Sequence, residues 1–176
     1  MSIGSILNND AAPDFNDPLG LLLACHQRIL GFCDLLQRVS QHIKEHGVDN
    51  DARQSIKKIH HYFSTAGRFH HEDEEQDLFP LLISQSTEIA TIVGELKQDH
   101  DRLDQAWAKL EPLLTHPETI AKTAEFDQWA NEFCLVHRQH VSREEKDFFP
   151  VATNVLNAAQ LQQLGCNMKK RRQADH

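Results

Sequence analysis

The chain has 176 residues, 25% of them charged, with 26 acidic against 18 basic side chains and a formal charge of −8. That length encloses one hydrophobic core without staples and needs no second domain. The acidic balance excludes a nucleic-acid partner, because phosphate contacts need a positive surface.

The opening MSIGSILNNDAAPDF lacks a basic start and a continuous apolar run, so residues 1–16 read as a flexible leader and not as a signal peptide. No apolar stretch is read as approaching the ~20 residues of a bilayer span, so a soluble, cytoplasmic protein with no membrane partner is expected. Asp17-Pro18 starts a first helix, with Asp as N-cap and Pro at the first helical position. It is predicted to run to about Glu45, with Gly47 ending it. Its stripe of Leu19, Leu22, Leu23, Ile29, Leu30, Cys33 and Leu36 has His26 in the middle, whereas His42 and His46 read as solvated.

A second helix from about Asp51 carries Ile56, Ile59, Phe63 and Ala66 on the face of His70 and Glu74, and Pro80 marks its end or a kink. His60 and His61 read as structural or exposed. The third, from about Glu88 to Leu110, aligns Ile89, Val93, Leu96, His100, Leu103 and Trp107. Pro112 and Pro117 are expected to bracket a turn, and a fourth helix from about Glu118 puts Phe126, Trp129, Phe133 and Val136 on the face of His140 and Glu144. A shorter helix from about Ala158 to Arg171 follows, ending in the basic run Lys169 to Arg172, read as a frayed end or solvated tail. Cys25, Cys33, Cys134 and Cys166 form no CxxC pair and read as small apolar filler.

The prediction is an all-α fold: an up-down-up-down four-helix bundle over residues 17–156, then a C-terminal helix and basic tail over 157–176. Within it a segment repeats. GRFHHEDEEQDLFP, residues 67–80, and HRQHVSREEKDFFP, residues 137–150, share Arg68/Arg138, His70/His140, Glu74/Glu144, Glu75/Glu145, Asp77/Asp147, Phe79/Phe149 and Pro80/Pro150. A His and a Glu four residues apart lie on one helix face, about 5–6 Å apart at Cβ. Each helix therefore offers an imidazole and a carboxylate together, and two such helices facing each other suggest a two-metal centre. The first copy holds a second such pair, His71 and Glu75, but its counterpart of His71 is Val141. Only the His70/Glu74 and His140/Glu144 register occurs twice, so His71, Glu72, Asp73 and Glu75 are assigned to a solvated acidic face. His26, in HQRI, and His100, in HDRL, also look like copies of one another. The candidate metal ligands are therefore His26, His70, Glu74, His100, His140 and Glu144.

The pattern H26, H70-x-x-x-E74 before LFP80, H100, and H140-x-x-x-E144 before FFP150 resembles the bacterial HHE cation-binding branch of the hemerythrin family, over about Asp17 to Pro150. The resemblance implies two iron ions. The four histidines would be terminal ligands, and Glu74 and Glu144 would bridge alongside an oxo or hydroxo group. Oxygen-carrying hemerythrins have a His-x-x-x-His pair on the third helix, where this chain has His100 and Asp104. Asp104 and His137 are the candidates for a fifth ligand. The implied function is binding or sensing of oxygen, nitric oxide or iron, as a monomer or a homo-oligomer. The alternative is a di-iron enzyme of peroxidase, oxidase or iron-delivery type, which additionally needs a proton donor or substrate pocket. A structural zinc protein is the weakest reading, since the set exceeds what one tetrahedral zinc requires.

Overall fold

A computed structural model describes residues 13–121 and 123–174. Most of the leader, and with it the signal-peptide question, lies outside the described residues. Those described form five helices and no strand: α1 (Pro18–His46), α2 (50–82), α3 (Thr87–Thr115), α4 (123–155) and α5 (Ala158–Ala174). The first four close a ring, α1 against α2 and α4 and α3 against the same two, joined by short connections in up-down-up-down order. α5 lies across α1 and α2.

The helix starts follow from local chemistry. Asp17, Asp49 and Ser86 each accept a hydrogen bond from the N–H three residues on, at 3.0, 2.9 and 3.2 Å. Asn157 and Gln160 cap α5 reciprocally, both bonds at 3.0 Å. α1 stops at Gly47, which takes φ 75° and donates its N–H to the Ile43 carbonyl.

Pro80 neither ends nor breaks α2. A π-helical turn, Glu74–Leu78, precedes it, in which Phe79 N–H bonds the Glu74 carbonyl, and the helix continues through Phe79–Leu82. The repeat builds the same device in α4, with the wide turn Glu144–Phe148 and Phe149 N–H on the Glu144 carbonyl before Pro150. A proline ring collides with the carbonyl four residues back, and the wider turn accommodates it. The widening also lets a buried glutamate and a buried phenylalanine five residues later both face inward, Glu74 with Phe79 and Glu144 with Phe149.

Three expectations about α1, α3 and α4 need correction. α3 continues to Thr115 with Pro112 inside it, because buried Leu110 and Leu114 hold its last turns in the core. α4 accordingly starts near Thr123, after a single 3-10 turn at Pro117–Thr119. α1 is, by length and composition, apolar enough to cross a bilayer, contrary to the reading that no stretch is. In this fold Leu22, Ile29, Cys33 and Leu36 of that helix are core residues.

The interior has two apolar clusters. One joins Ile29, Leu36, Ile56, Ile59, Phe63, Leu110, Phe126 and Phe133, and the other joins Leu22, Leu78, Phe79, Leu96, Phe148 and Met168. Full burial of each large side chain stabilises the fold by about 1.5–3 kcal/mol. The gap between the clusters falls at His26, between Leu22 and Ile29, and at its equivalents on the other three helices.

Of the basic C-terminal run, Lys169 and Lys170 are exposed but Arg171 and Arg172 are not part of a solvated tail. Arg171 and Arg172 clamp Asp73 of α2, which is 0% exposed, with Arg172 Nη2 2.7 Å from Asp73 Oδ2 and Arg171 Nη2 2.5 Å from Asp77 Oδ2. Arg172 also lies over the rings of Phe15 and Phe69. The end of the leader is thus packed down, and the Phe15 carbonyl comes so close to Gly165 that no side chain fits there.

Candidate metal centre

Between the apolar clusters lies a layer of buried polar side chains. His26, His70, Glu74, His140 and Glu144 are wholly buried and His100 nearly so. They converge as two overlapping groups, His26, His70, Glu74 and Glu144, and Glu74, His100, His140 and Glu144, each with donor atoms within 4.8 Å of one another. The carboxylates belong to both. Glu74 has Oε1 3.3 Å from His70 Nε2 and Oε2 3.4 Å from His100 Nε2. Glu144 Oε2 lies 3.0 Å from His26 Nε2 and 3.2 Å from His140 Nε2.

This packing costs free energy unless the groups are satisfied. Among the described residues His26 Nε2, both ring nitrogens of His70, and all four oxygens of Glu74 and Glu144 are buried without a hydrogen bond. Each such atom costs about 1–3 kcal/mol. Neutral imidazole nitrogens and carboxylate oxygens are the donors that hold divalent cations, so the residues fit cations at this place.

The electrostatics divide the layer, and the burial of His26 is outweighed by Glu144, so its pKa is raised. Burial, then the neighbouring His26, push His70 well below its ordinary range, leaving its ring nitrogens as neutral donors. Burial and the charge of Glu144 push the Glu74 carboxyl up. Burial acts the same way on Glu144, but His140, His26 and His70 outweigh it and hold that carboxyl low. Burial would depress His100, yet Glu74 and Glu75 overcome it and raise it to about 10.

Two residues assigned to a solvated face, Glu75 and His71, lie against the layer, as do Glu145 and Asp99. Glu75, although its side chain is 43% exposed, places Oε1 2.6 Å from His100 Nδ1, and Glu145 places Oε1 3.0 Å from His26 Nδ1. Each fixes the ring so that Nε2 faces the centre, as carboxylates do behind metal-bound imidazoles. The signal was in the repeat: Glu75 and Glu145 are a matched pair, and each holds the lone histidine of a neighbouring helix. Asp99, directly before His100, is also buried, 3.9 Å from His140 Nδ1 and 3.3 Å from Arg143. His71 is partly buried, with its ring stacked on that of His100 at 4.2 Å.

Neither candidate fifth ligand from the sequence joins these groups. Asp104 is exposed and borders a cavity of about 410 Å³. His137 is buried among Phe63, Phe133 and His71, its Nδ1 3.2 Å from the Phe133 carbonyl. Burial, then His140, depress His137 from 6.5 to about 3. The unfolded chain therefore binds a proton below about 6.5 that the folded chain refuses until about 3, so stability is lost as pH falls through that window. In metal-free protein, a His137→Leu variant should gain on wild type by about 1.4 kcal/mol per pH unit, or about 2 kcal/mol at pH 5 relative to pH 7. Urea titrations at the two pH values measure it, and an unchanged gap would mean that the folded state takes up the proton.

A four-helix bundle with a central layer of imidazoles and carboxylates defines a metal-binding protein of the helical-bundle class. Residues 17–152 match the hemerythrin HHE cation binding domain, and the chain belongs to that family. An uncharacterized protein of Haemophilus influenzae (strain ATCC 51907 / DSM 11121 / KW20 / Rd) is 29% identical over 168 residues, which cover 96% of this chain and 97% of that protein.

Glu75→Ala and Glu145→Ala should each weaken metal binding by about 10–100-fold, the usual cost of removing a carboxylate behind an imidazole ligand. Competition against a chelator measures this. Wild-type affinity in both variants would show that the rings are held by packing alone.

Proposed function

We propose that this chain is a non-haem di-iron protein of the cytoplasm. His26 and His70 would hold one ion and His100 and His140 the other, with Glu74 and Glu144 shared between them. The centre binds or senses a small ligand, oxygen or nitric oxide. One observation carries the reading: each carboxylate lies within 3.4 Å of one imidazole from each group, which is what bridging two ions requires and what one ion would leave unused. The unit that does this is the bundle over 17–156, with 157–176 as a helix clamped across it.

Iron suits this mixture of imidazole and carboxylate, and a reduced pair held there would supply an electron-rich site for a diatomic ligand. The protein's own contribution is positional. Glu75 and Glu145 hold the rings of His100 and His26, and apolar clusters pack on either side of the layer.

The cavity favours a second reading, an enzyme of peroxidase or oxidase type. At about 410 Å³ it is far larger than a diatomic molecule, and it is walled by Phe63, Trp107 and Phe133 with His71, His100 and His137 at its inner side. Anaerobic reduction followed by each gas in turn, with the visible spectrum recorded through repeated cycles, separates the readings. A spectral change with oxygen or nitric oxide that does not reverse as a stable carrier supports ligand sensing. Steady turnover of added peroxide moves the assignment to the enzyme, and no change with either gas together with no peroxide turnover defeats both.

A further inference from the structure

The repeat makes the two halves of the centre near-copies, and one of the positions at which they differ lies beside the layer. Where α4 has Val141, 3% exposed, α2 has His71. The ligand atoms of His71, His100 and His140 lie within 4.8 Å of one another, a third group beside the two that share the carboxylates. His71 Nε2 is buried and makes no hydrogen bond among the described residues. Its ring is stacked on His100, 25° from parallel, and meets His140 edge-on at 5.7 Å. It also lines the cavity that reaches the centre from the side of α2, α3 and α4.

We propose that His71 is a third imidazole ligand on the His100/His140 side, and that it is the exchangeable one: a small anion or diatomic molecule arriving through the cavity takes its place. The centre is then unsymmetrical, with three imidazoles on one side and two on the other. This rests on the metal-centre reading above. It reverses the assignment of His71 to a solvated face, which relied on the absence of a histidine at 141. The other five histidines at or near the layer do not combine these features. His26, His70 and His140 do not line the cavity, His100 is held at Nδ1 by Glu75, and His137 is outside every group. A ring that fills the position between cavity and centre lowers apparent ligand affinity by the fraction of time it is bound there.

The test uses the full chain loaded with iron, and the variants His71→Val, which copies the other half, and His71→Gln, which keeps a polar side chain of similar size. Metal content and chelator competition are read first, then azide binding to the oxidised protein by visible titration. The expected result is that His71→Val weakens the less tightly held ion at least about tenfold and tightens azide binding by about tenfold as the competing ring is lost. Adding free imidazole to His71→Val should push azide affinity back toward the wild-type value. Unchanged metal and azide affinities in both variants, with wild type holding two ions, would overturn the role of His71 and leave the two-metal reading standing. If wild type holds one ion per chain, the two-metal reading fails. His71 as a ligand is then upheld by weaker binding of that ion in both variants and overturned by unchanged binding.

Discussion

Replacing Glu74 with alanine is expected to disrupt both cation positions at once. Its two oxygens face His70 and His100, one from each group, so no other single change apart from Glu144→Ala reaches both. A partner behind one ligand is worth about 10–100-fold in affinity, and removal of a shared ligand should exceed about 100-fold for the pair. The measurement is metal retained after dialysis, alongside helix content by circular dichroism to confirm that the bundle persists. Loss of one ion with the other held at wild-type affinity would show that Glu74 serves a single position.

The second large effect lies away from the centre. Asp73 is wholly buried and its charge is balanced by Arg171 and Arg172 of α5. Removing both guanidiniums strands a buried carboxylate, which costs about 3–5 kcal/mol. In a chain of this size each kcal/mol moves Tm by about 2–4 °C, so Arg171→Ala/Arg172→Ala should melt about 10 °C lower. Adding Asp73→Ala should restore part of the loss, because the uncompensated charge leaves with it. A double variant melting with wild type would mean that α5 is held by Leu164 and Met168 alone.

The fold was legible because its signals are local and redundant. Helical stripes, Asp17-Pro18 and Gly47 specify α1 almost to the residue, and the 3.6-residue period places the start of α3 within a residue. Pro112 misled because propensity in the last turns of a helix yields to the burial of Leu110 and Leu114. Pro80 misled because a widened turn absorbs a proline, and nothing in a single proline reveals the turn around it. The six converging His and Glu side chains were legible from doubling, since chance does not place a His-Glu spacing twice within one aligned motif. The supporting carboxylates were not, because Glu75 and Glu145 lie one position round the helix from the inner face and reach neighbouring helices. That reach depends on the bundle's ring order. His71 was set aside by the same symmetry that found His70, and its position beside His100 depends on α2 packing against α3. The Asp73 clamp was missed because its partners are 98 and 99 residues away, and a charge run at a chain end gives no sign of what it faces.

In the proposed centre two ions share Glu74 and Glu144. Anaerobic titration of metal-free protein with ferrous iron, followed by equilibrium dialysis and protein quantification, counts them directly. The prediction is a break at two equivalents per chain in wild type and no tight binding in Glu74→Ala. A break at one equivalent in wild type, unaffected by Glu74→Ala, would contradict it.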